Sequence, residues 1–336
     1  MNEWARHGIF AGEAERAIGF FLTPTFSMFS FVAALEPLRV ANRLAGRNLY
    51  QWRVFSADGL PVPSSSGIAQ AADAAIREAA RYPVMIVVGP FDPTAYDEPQ
   101  VFAWLRRLAR HGAELGGLCT GGHILARAGL LNGYRCTVHW ENMTGFTHAF
   151  PEIELSDELY QIDRSRFTAS GGTASLDVML ALIARDHGQA LAAEVSESLL
   201  VERMRQPDEG QRMARQERLG ASHPKLVHCI AEMEQNLERP WSPAQLAAAV
   251  GISQRQLERL FRRHLQTTPR QYYSALRLKA ARRMLEQTAM PIAEIALACG
   301  FSSPAYFSLQ YRIAHGVSPS EVRRQARQPR IVSSAL

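Results

Sequence analysis

Lysine is almost missing from this chain: of 37 basic side chains only Lys225 and Lys279 are lysines, the rest being arginines. Arginine suits bidentate phosphate recognition, but it dominates the acidic part of the chain as well as the basic part, so its excess reads as a compositional bias. Cysteine is scarce too. Cys119, Cys136, Cys229 and Cys299 stand far apart, with no C-x-x-C pair and no His/Cys metal spacing, which argues against a disulfide framework or a zinc site. No metal or cofactor is expected. No run approaches the roughly 18–20 apolar residues of a membrane span. The opening segment MNEWARHGIFAGEAER carries acids and lacks an apolar targeting core, so a soluble cytoplasmic protein with no membrane partner is expected. Apolar residues are plentiful: 47% of 336, which excludes wholesale disorder and leaves room for more than one folded domain.

Charge is spread unevenly. Residues 1–222 hold 21 basic and 25 acidic side chains, net −4, whereas residues 223–336 hold 16 and 7, net +9. Such asymmetry suggests a basic module for nucleic acid attached to a larger neutral-to-acidic body. Through the first 190 residues, short β-branched or aromatic runs at 17–22, 50–57, 84–89, 113–119 and, less clearly, 166–170 alternate with amphipathic stretches at about 26–45, 96–111, 121–131 and 173–187. This alternation predicts a doubly wound, mostly parallel α/β sheet over residues 1–187, with its ligand crevice at the carboxyl ends of the strands. The charged, Gln-rich segment 188–222, interrupted by Pro207 and Gly210, reads as a linker and as the place to look for a moving part. Residues 223–326 show only helical periodicity, and 327–336 read as a tail.

The helical part repeats itself. SPAQLAAAVGISQRQLERLFRRHL (242–265) and MPIAEIALACGFSSPAYFSLQYRIAHG (290–316) share one plan: Pro at a helix start, an apolar helix ending in Gly, a three-residue turn, and a second helix after Ser. Gly251 and Gly300 suit a turn of positive φ, and Ser253 and Ser303 suit N-caps. Two helix-turn-helix units follow from this, and their duplication points to binding of double-stranded DNA. On the first recognition helix, Leu257, Leu260 and Phe261 form the inward stripe, while Gln254, Arg255, Glu258, Arg259 and Arg262 face outward. Arg255 and Arg259, one turn apart, are placed for base edges, and Arg262, Arg263 and Arg270 for phosphates. The second helix offers Ser303, Ala305, Tyr306, Leu309 and Gln310 outward, with Arg312 as its one basic residue, so Tyr306 or Leu309 would meet a thymine methyl.

These two units, the intervening RQYYSALRLKAARRMLEQT and the ending GVSPSEVRR resemble the DNA-binding domain of AraC/XylS transcription regulators over about residues 223–325. The resemblance implies two helix-turn-helix units joined by a long helix and inserted into adjacent major grooves. The family often has a basic residue where this chain has Leu309.

In the first half, the strand at 113–118 runs into GLCTGG (117–122) and a helix follows. Gly117, Cys119 and Gly121 at a strand-to-helix turn make a nucleophile-elbow pattern, and the helix N-terminus would lower the thiol pKa. A nucleophile also needs a base. Thr120 follows Cys119, and the candidate partners are Glu36 and His139. True catalysis is not expected, and no catalytic residue is assigned. The elbow, Glu36 and SGGTASLDVMLALIA (170–184) resemble the PfpI-type domain of the class I glutamine amidotransferase-like superfamily. Followed by an AraC/XylS module, the chain resembles the GlxA family of regulators, which implies an α/β domain that senses a small metabolite and dimerises, and a helical domain that binds a promoter. Members are often tied to catabolism of amino acids or quaternary amines such as betaine and carnitine.

The expected ligand site gathers Phe26, Glu36, Cys119, Thr120, His139, Trp140, Gly172 and Thr173. Turn amides at 120–122 and 172–173 would hold a carboxylate, Trp140 and Phe26 would stack on a cationic head, and Glu36 or Glu141 would neutralise it. The expected protein is therefore a ligand-responsive regulator, an activator working with RNA polymerase as a homodimer. A cysteine hydrolase, amidase or aldehyde-processing enzyme with an accessory DNA-binding domain is the alternative, and redox sensing at Cys119 a third reading.

Overall fold

A computed structural model describes residues 15–79, 81–211 and 223–326. The chain divides into two compact units, with the division after residue 211. The expected tail at 327–336 and the 212–222 part of the expected linker lie outside the described residues.

The first unit is built on a seven-stranded sheet. Its members are β1 (Arg16–Leu22), β2 (Tyr50–Ser56), β5 (Ala74–Ala75), β6 (Val84–Val88), β7 (Glu114–Leu118), β10 (Tyr160–Asp163) and β11 (Arg166–Ala169), in the order β10-β11-β7-β6-β1-β2-β5. Every pairing is parallel except β10 with β11. The central strand β6 is fully buried, as VMIVV requires when both faces are covered. One face packs α1 (Met28–Ala45), α5 (Ala174–His187) and α6 (Gln189–Ser198); the other packs α2 (Pro99–Arg110), α3 (Gly121–Arg127) and α4 (Met143–Ala149). Alternation on β1 shows the division, with Phe20 in the first core and Phe21 in the second. Two small two-stranded sheets complete the unit: β3 (Val62–Pro63) with β4 (Ala69–Gln70), and β8 (Arg135–Thr137) with β9 (Glu154–Ser156). The doubly wound sheet is as expected; the antiparallel edge β10 and the small sheets were not foreseen, being too short for a periodicity.

The linker boundary requires correction. Residues 188–211 belong to the first unit: α6 packs on α5 and α1, the Leu159 amide bonds the Pro207 carbonyl at 2.9 Å, and Gln211 Nε2 donates to the carbonyls of Val138 and Glu158 at 3.0 and 2.9 Å. The charged composition that suggested a linker belongs to a strap whose polar groups are used in fastening it.

The second unit is all helical: α7 (Pro224–Gln235), α8 (Pro243–Ala249), α9 (Gln254–Leu265), α10 (Pro269–Gln287), α11 (Ile292–Ala298), α12 (Pro304–His315) and α13 (Pro319–Ala326). It has two small cores. Leu226, Ile230, Leu246, Leu257 and Phe261 form one, and Leu285, Ile295, Phe301, Phe307 and Tyr311 the other. The long α10 spans both, giving Tyr273 to the first and Leu278 and Leu285 to the second.

Candidate functional site

Cys119 stands where the sequence pattern puts it, between β7 and α3, in the left-handed region at φ 58°. A non-glycine residue adopts that backbone only when its surroundings fix it. Here the fixing is done by close approach: an added Cβ on Gly171 would meet Cys119 Cβ at 2.8 Å, and one on Gly89 would meet the Gly121 nitrogen at 2.1 Å. The elbow geometry is real, but its chemistry differs from the expected activation. Burial pushes the Cys119 thiol up to about 11; hydrogen bonds from Thr120 oppose this, and Glu141 adds to it. The acid that acts on the thiol is Glu141, not Glu36. Among the described residues, no histidine hydrogen-bonds the sulfur.

The other expected ligand residues separate. Phe26 is fully buried, set edge-on to Phe31 at 6.0 Å within the core, so it stacks on protein and not on a ligand. Thr120 is 1% exposed and its hydroxyl donates to the Pro90 carbonyl. The Gly172 amide, expected to face an anion, donates to Ser30 Oγ at 2.9 Å. Thr173 Oγ1 accepts from Arg205 Nη2 at 2.6 Å, and Arg205 Nε also reaches the buried Asp177 at 3.0 Å. A lone carboxylate inside ASLDVMLALIA needs a cation, so Asp177 carried a signal; that its partner is Arg205 could not be read. Glu36 lies about two turns into α1, bonded to Arg39 Nε and Nη2 at 2.8 and 2.6 Å, and lines a different cavity.

Glu141 acts on the Cys119 thiol, and His139 and Trp140 precede it in the chain. The His139 and Trp140 rings lie 5.7 Å apart, tilted by 35°, and the Glu141 amide donates to His139 Nδ1 at 3.3 Å. Burial lowers the His139 pKa, with Glu141 opposing. Sequence reasoning missed Phe29, which is 59% exposed in the first turn of α1 with its ring 3.8 Å from where a Gly172 Cβ would stand. The capped start of an amphipathic helix is usually read for its cap, so an apolar residue there drew no notice.

In the second unit both turns form as expected. Gly251 and Gly300 take φ values of 64° and 71°, Ser253 Oγ accepts from the Gln256 amide, and Ser303 Oγ accepts from the Tyr306 amide. Ser303 therefore serves α12 as its cap. Leu257 and Phe261 are fully buried, while Gln254, Arg255, Arg259 and Arg262 are exposed and Glu258 is half-buried. None of these three arginines holds an ion pair among the described residues. On α12, Tyr306 and Leu309 are 44% and 56% exposed, Gln310 is half-buried and Arg312 is exposed. Ile313, at 69%, extends the apolar stripe and was not foreseen. Two further cations fasten the turns: Lys225 Nζ donates to the Gly251 carbonyl at 3.0 Å, and Arg277 donates to the Cys299 and Gly300 carbonyls at 2.8 and 3.0 Å while its guanidinium lies 4.2 Å from the Phe301 ring centre.

No helix among the described residues is long and apolar enough to cross a membrane. Comparison with known proteins gives the same two parts. The DJ-1/PfpI family matches residues 20–185 and a helix-turn-helix domain matches 246–325. The HTH-type transcriptional regulator CdhR of Pseudomonas aeruginosa is 46% identical over 304 residues, covering 90% of each chain. The HTH-type transcriptional regulator GlxA of Rhizobium meliloti is 38% identical over 310 residues, covering 92% of this chain and 96% of its own. Among solved structures, an AraC family transcriptional regulator from Pseudomonas putida matches 55% of this chain and 99% of its own at 31% identity, with a TM-score of 0.52.

Proposed function

Because the chain belongs to the GlxA-type family of HTH-type transcriptional regulators, in which a DJ-1/PfpI domain precedes an AraC-type DNA-binding domain, we propose that it is a metabolite-responsive activator in which the α/β domain binds a small effector and dimerises. The observation that carries the DNA side is the row of exposed arginines Arg255, Arg259 and Arg262 on α9, which hold no ion pair among the described residues. Arg255 and Arg259 read bases and Arg262 holds phosphate. On α12, Tyr306, Gln310 and Arg312 supply apolar and backbone contacts.

The effector site is the elbow crevice, walled by Cys119, His139, Trp140 and Phe29, and the effector is an amino acid or a quaternary amine such as betaine or carnitine. Aromatic rings beside Glu141 suit a cationic head. Effector binding favours one arrangement of the two DNA-binding domains of a dimer, and thereby recruits RNA polymerase. A raised thiol pKa, with no histidine hydrogen-bonded to the sulfur among the described residues, supports a binding role for Cys119 over catalysis. The test is a thermal-shift screen of the full chain with amino acids and quaternary amines, since a ligand at 100 times its Kd stabilises by about 2.7 kcal/mol. No shift from any of them would sink the effector class. The strained elbow favours one second reading, a cysteine hydrolase: an amidase or esterase turnover that Cys119→Ser abolishes, with DNA binding intact, would establish it.

A further inference from the structure

Glu36 has left the elbow, and where it has gone is informative. It lines a half-open cavity of about 460 Å³ between α1 and the edge of the sheet, together with Phe31, Leu35, Trp52, Val54 and Asp73. That volume falls in the range of roughly 300–1,000 Å³ typical of small-molecule sites. Its floor is apolar, with Phe31 and Val54 buried and Leu35 half-buried. Its polar side chains include two carboxylates, and among the described residues no basic side chain lines it.

Both carboxylates are held in place. Asp73 Oδ2 accepts from the Val54 amide at 2.7 Å, and Glu36 is gripped by Arg39 outside the lining. The Arg39 pair is exposed, with half of the Arg39 side chain and a third of the Glu36 side chain in solvent, and such pairs are weak, so a cation inside the cavity competes for Glu36 on favourable terms. Trp52 supplies an indole, the best of the aromatic faces for a cation. An anion would meet the two carboxylates that line the cavity, and a neutral alkane would leave them unused.

We infer that this cavity is a second binding site of the α/β domain, selective for a small organic cation with an alkyl body, which Trp52, Glu36 and Asp73 recognise. The site shares α1 with the elbow crevice: Phe31, Leu35 and Glu36 face the cavity, while Ser30 of the same helix accepts from Gly172 at the crevice. A ligand in one site therefore touches the helix that borders the other. The inference does not depend on what the crevice binds.

Isothermal titration of the full chain with n-butylammonium, with butyrate as the matched anion, tests it. Butylammonium is expected to bind, and butyrate at least tenfold more weakly. Glu36→Gln, Asp73→Asn and Trp52→Leu should each weaken butylammonium binding by tenfold or more, and Asp73→Asn keeps an acceptor for the Val54 amide. Cys119→Ala and Trp140→Leu should leave it unchanged. If butylammonium does not bind, if butyrate binds as well, or if only the elbow variants abolish binding, the site is overturned. Failure of the effector reading looks different: no metabolite shifts the protein, while butylammonium binding still depends on Glu36, Asp73 and Trp52.

Discussion

The two helix-turn-helix units were built to one plan and finished differently. Each has a left-handed glycine at its turn, a serine capping its second helix, and a cation from another helix bonded to the carbonyls of the turn. In the first unit the turn is open, the cation is an exposed lysine, and the helix surface is arginine. In the second the turn is crowded, an added Gly300 Cβ meeting the Leu237 carbonyl at 2.4 Å. There the cation is a half-buried arginine, and the exposed surface is Tyr306, Leu309 and Ile313. Backbone plan follows local rules that any sequence with the right punctuation obeys, while the exposed groups of the second helices are free to diverge.

The largest contrast is expected at the glycines. Gly300→Ala combines a left-handed penalty of ~1–2 kcal/mol with overpacking of ~1–3 kcal/mol, whereas an added Gly251 Cβ has nothing within 4 Å, so Gly251→Ala costs only the first. Denaturant unfolding of the helical domain measures both, and equal losses would remove the contrast. Next come the recognition surfaces: Arg255→Ala and Arg259→Ala should each weaken specific binding by about 1–3 kcal/mol, and Tyr306→Ala and Leu309→Ala by less, read by anisotropy on a fragment selected from random DNA. An unchanged ratio of specific to non-specific affinity for the arginine variants would show that neither reads bases.

Arg277→Met removes a charged donor from two carbonyls, worth about 1.5–3 kcal/mol for such bonds; Lys225→Met, at an exposed site, should leave the unfolding midpoint almost unmoved. The smallest effect sharpens the comparison from the other side. Leu309→Arg adds a second arginine to α12 and should steepen the salt dependence of binding by about one phosphate contact, which a plot of log affinity against log salt reveals.

The first unit adds a pH test. Burial lowers His123 to about 3, so it is neutral when folded, whereas in the unfolded chain it charges below about 6.5. The unfolded state then binds the extra proton, and stability falls as pH drops from about 6.5 toward 3. The His123 ring is set edge-on to Phe146 at 4.9 Å. In His123→Phe, this part of the acid sensitivity should disappear from the thermal unfolding of the full chain.

Much of the fold was legible because its signals are local. Apolar runs such as VMIVV announce buried parallel strands, and the Gly and Ser of each turn announce helix ends. The site was legible in part, and the failures share one cause. Phe26 looked like a ligand-stacking ring, yet the bridge from Phe26 to Pro90 turns it into the core. Thr120, Gly172 and Thr173 looked free, yet Pro90, Ser30 and Arg205, distant in sequence, use their polar groups. Glu36 was a candidate partner for the thiol and Glu141 only a candidate to neutralise a cationic head; packing put Glu141 beside the thiol.

By itself the sequence determined the two-part architecture, the elbow and the doubled helix-turn-helix, because periodicity, caps and glycines act within a few residues of one another. Tertiary structure alone decided which side chains remain available for a ligand. Availability is what is left after every buried polar group has found a partner, and those partners come from the whole chain.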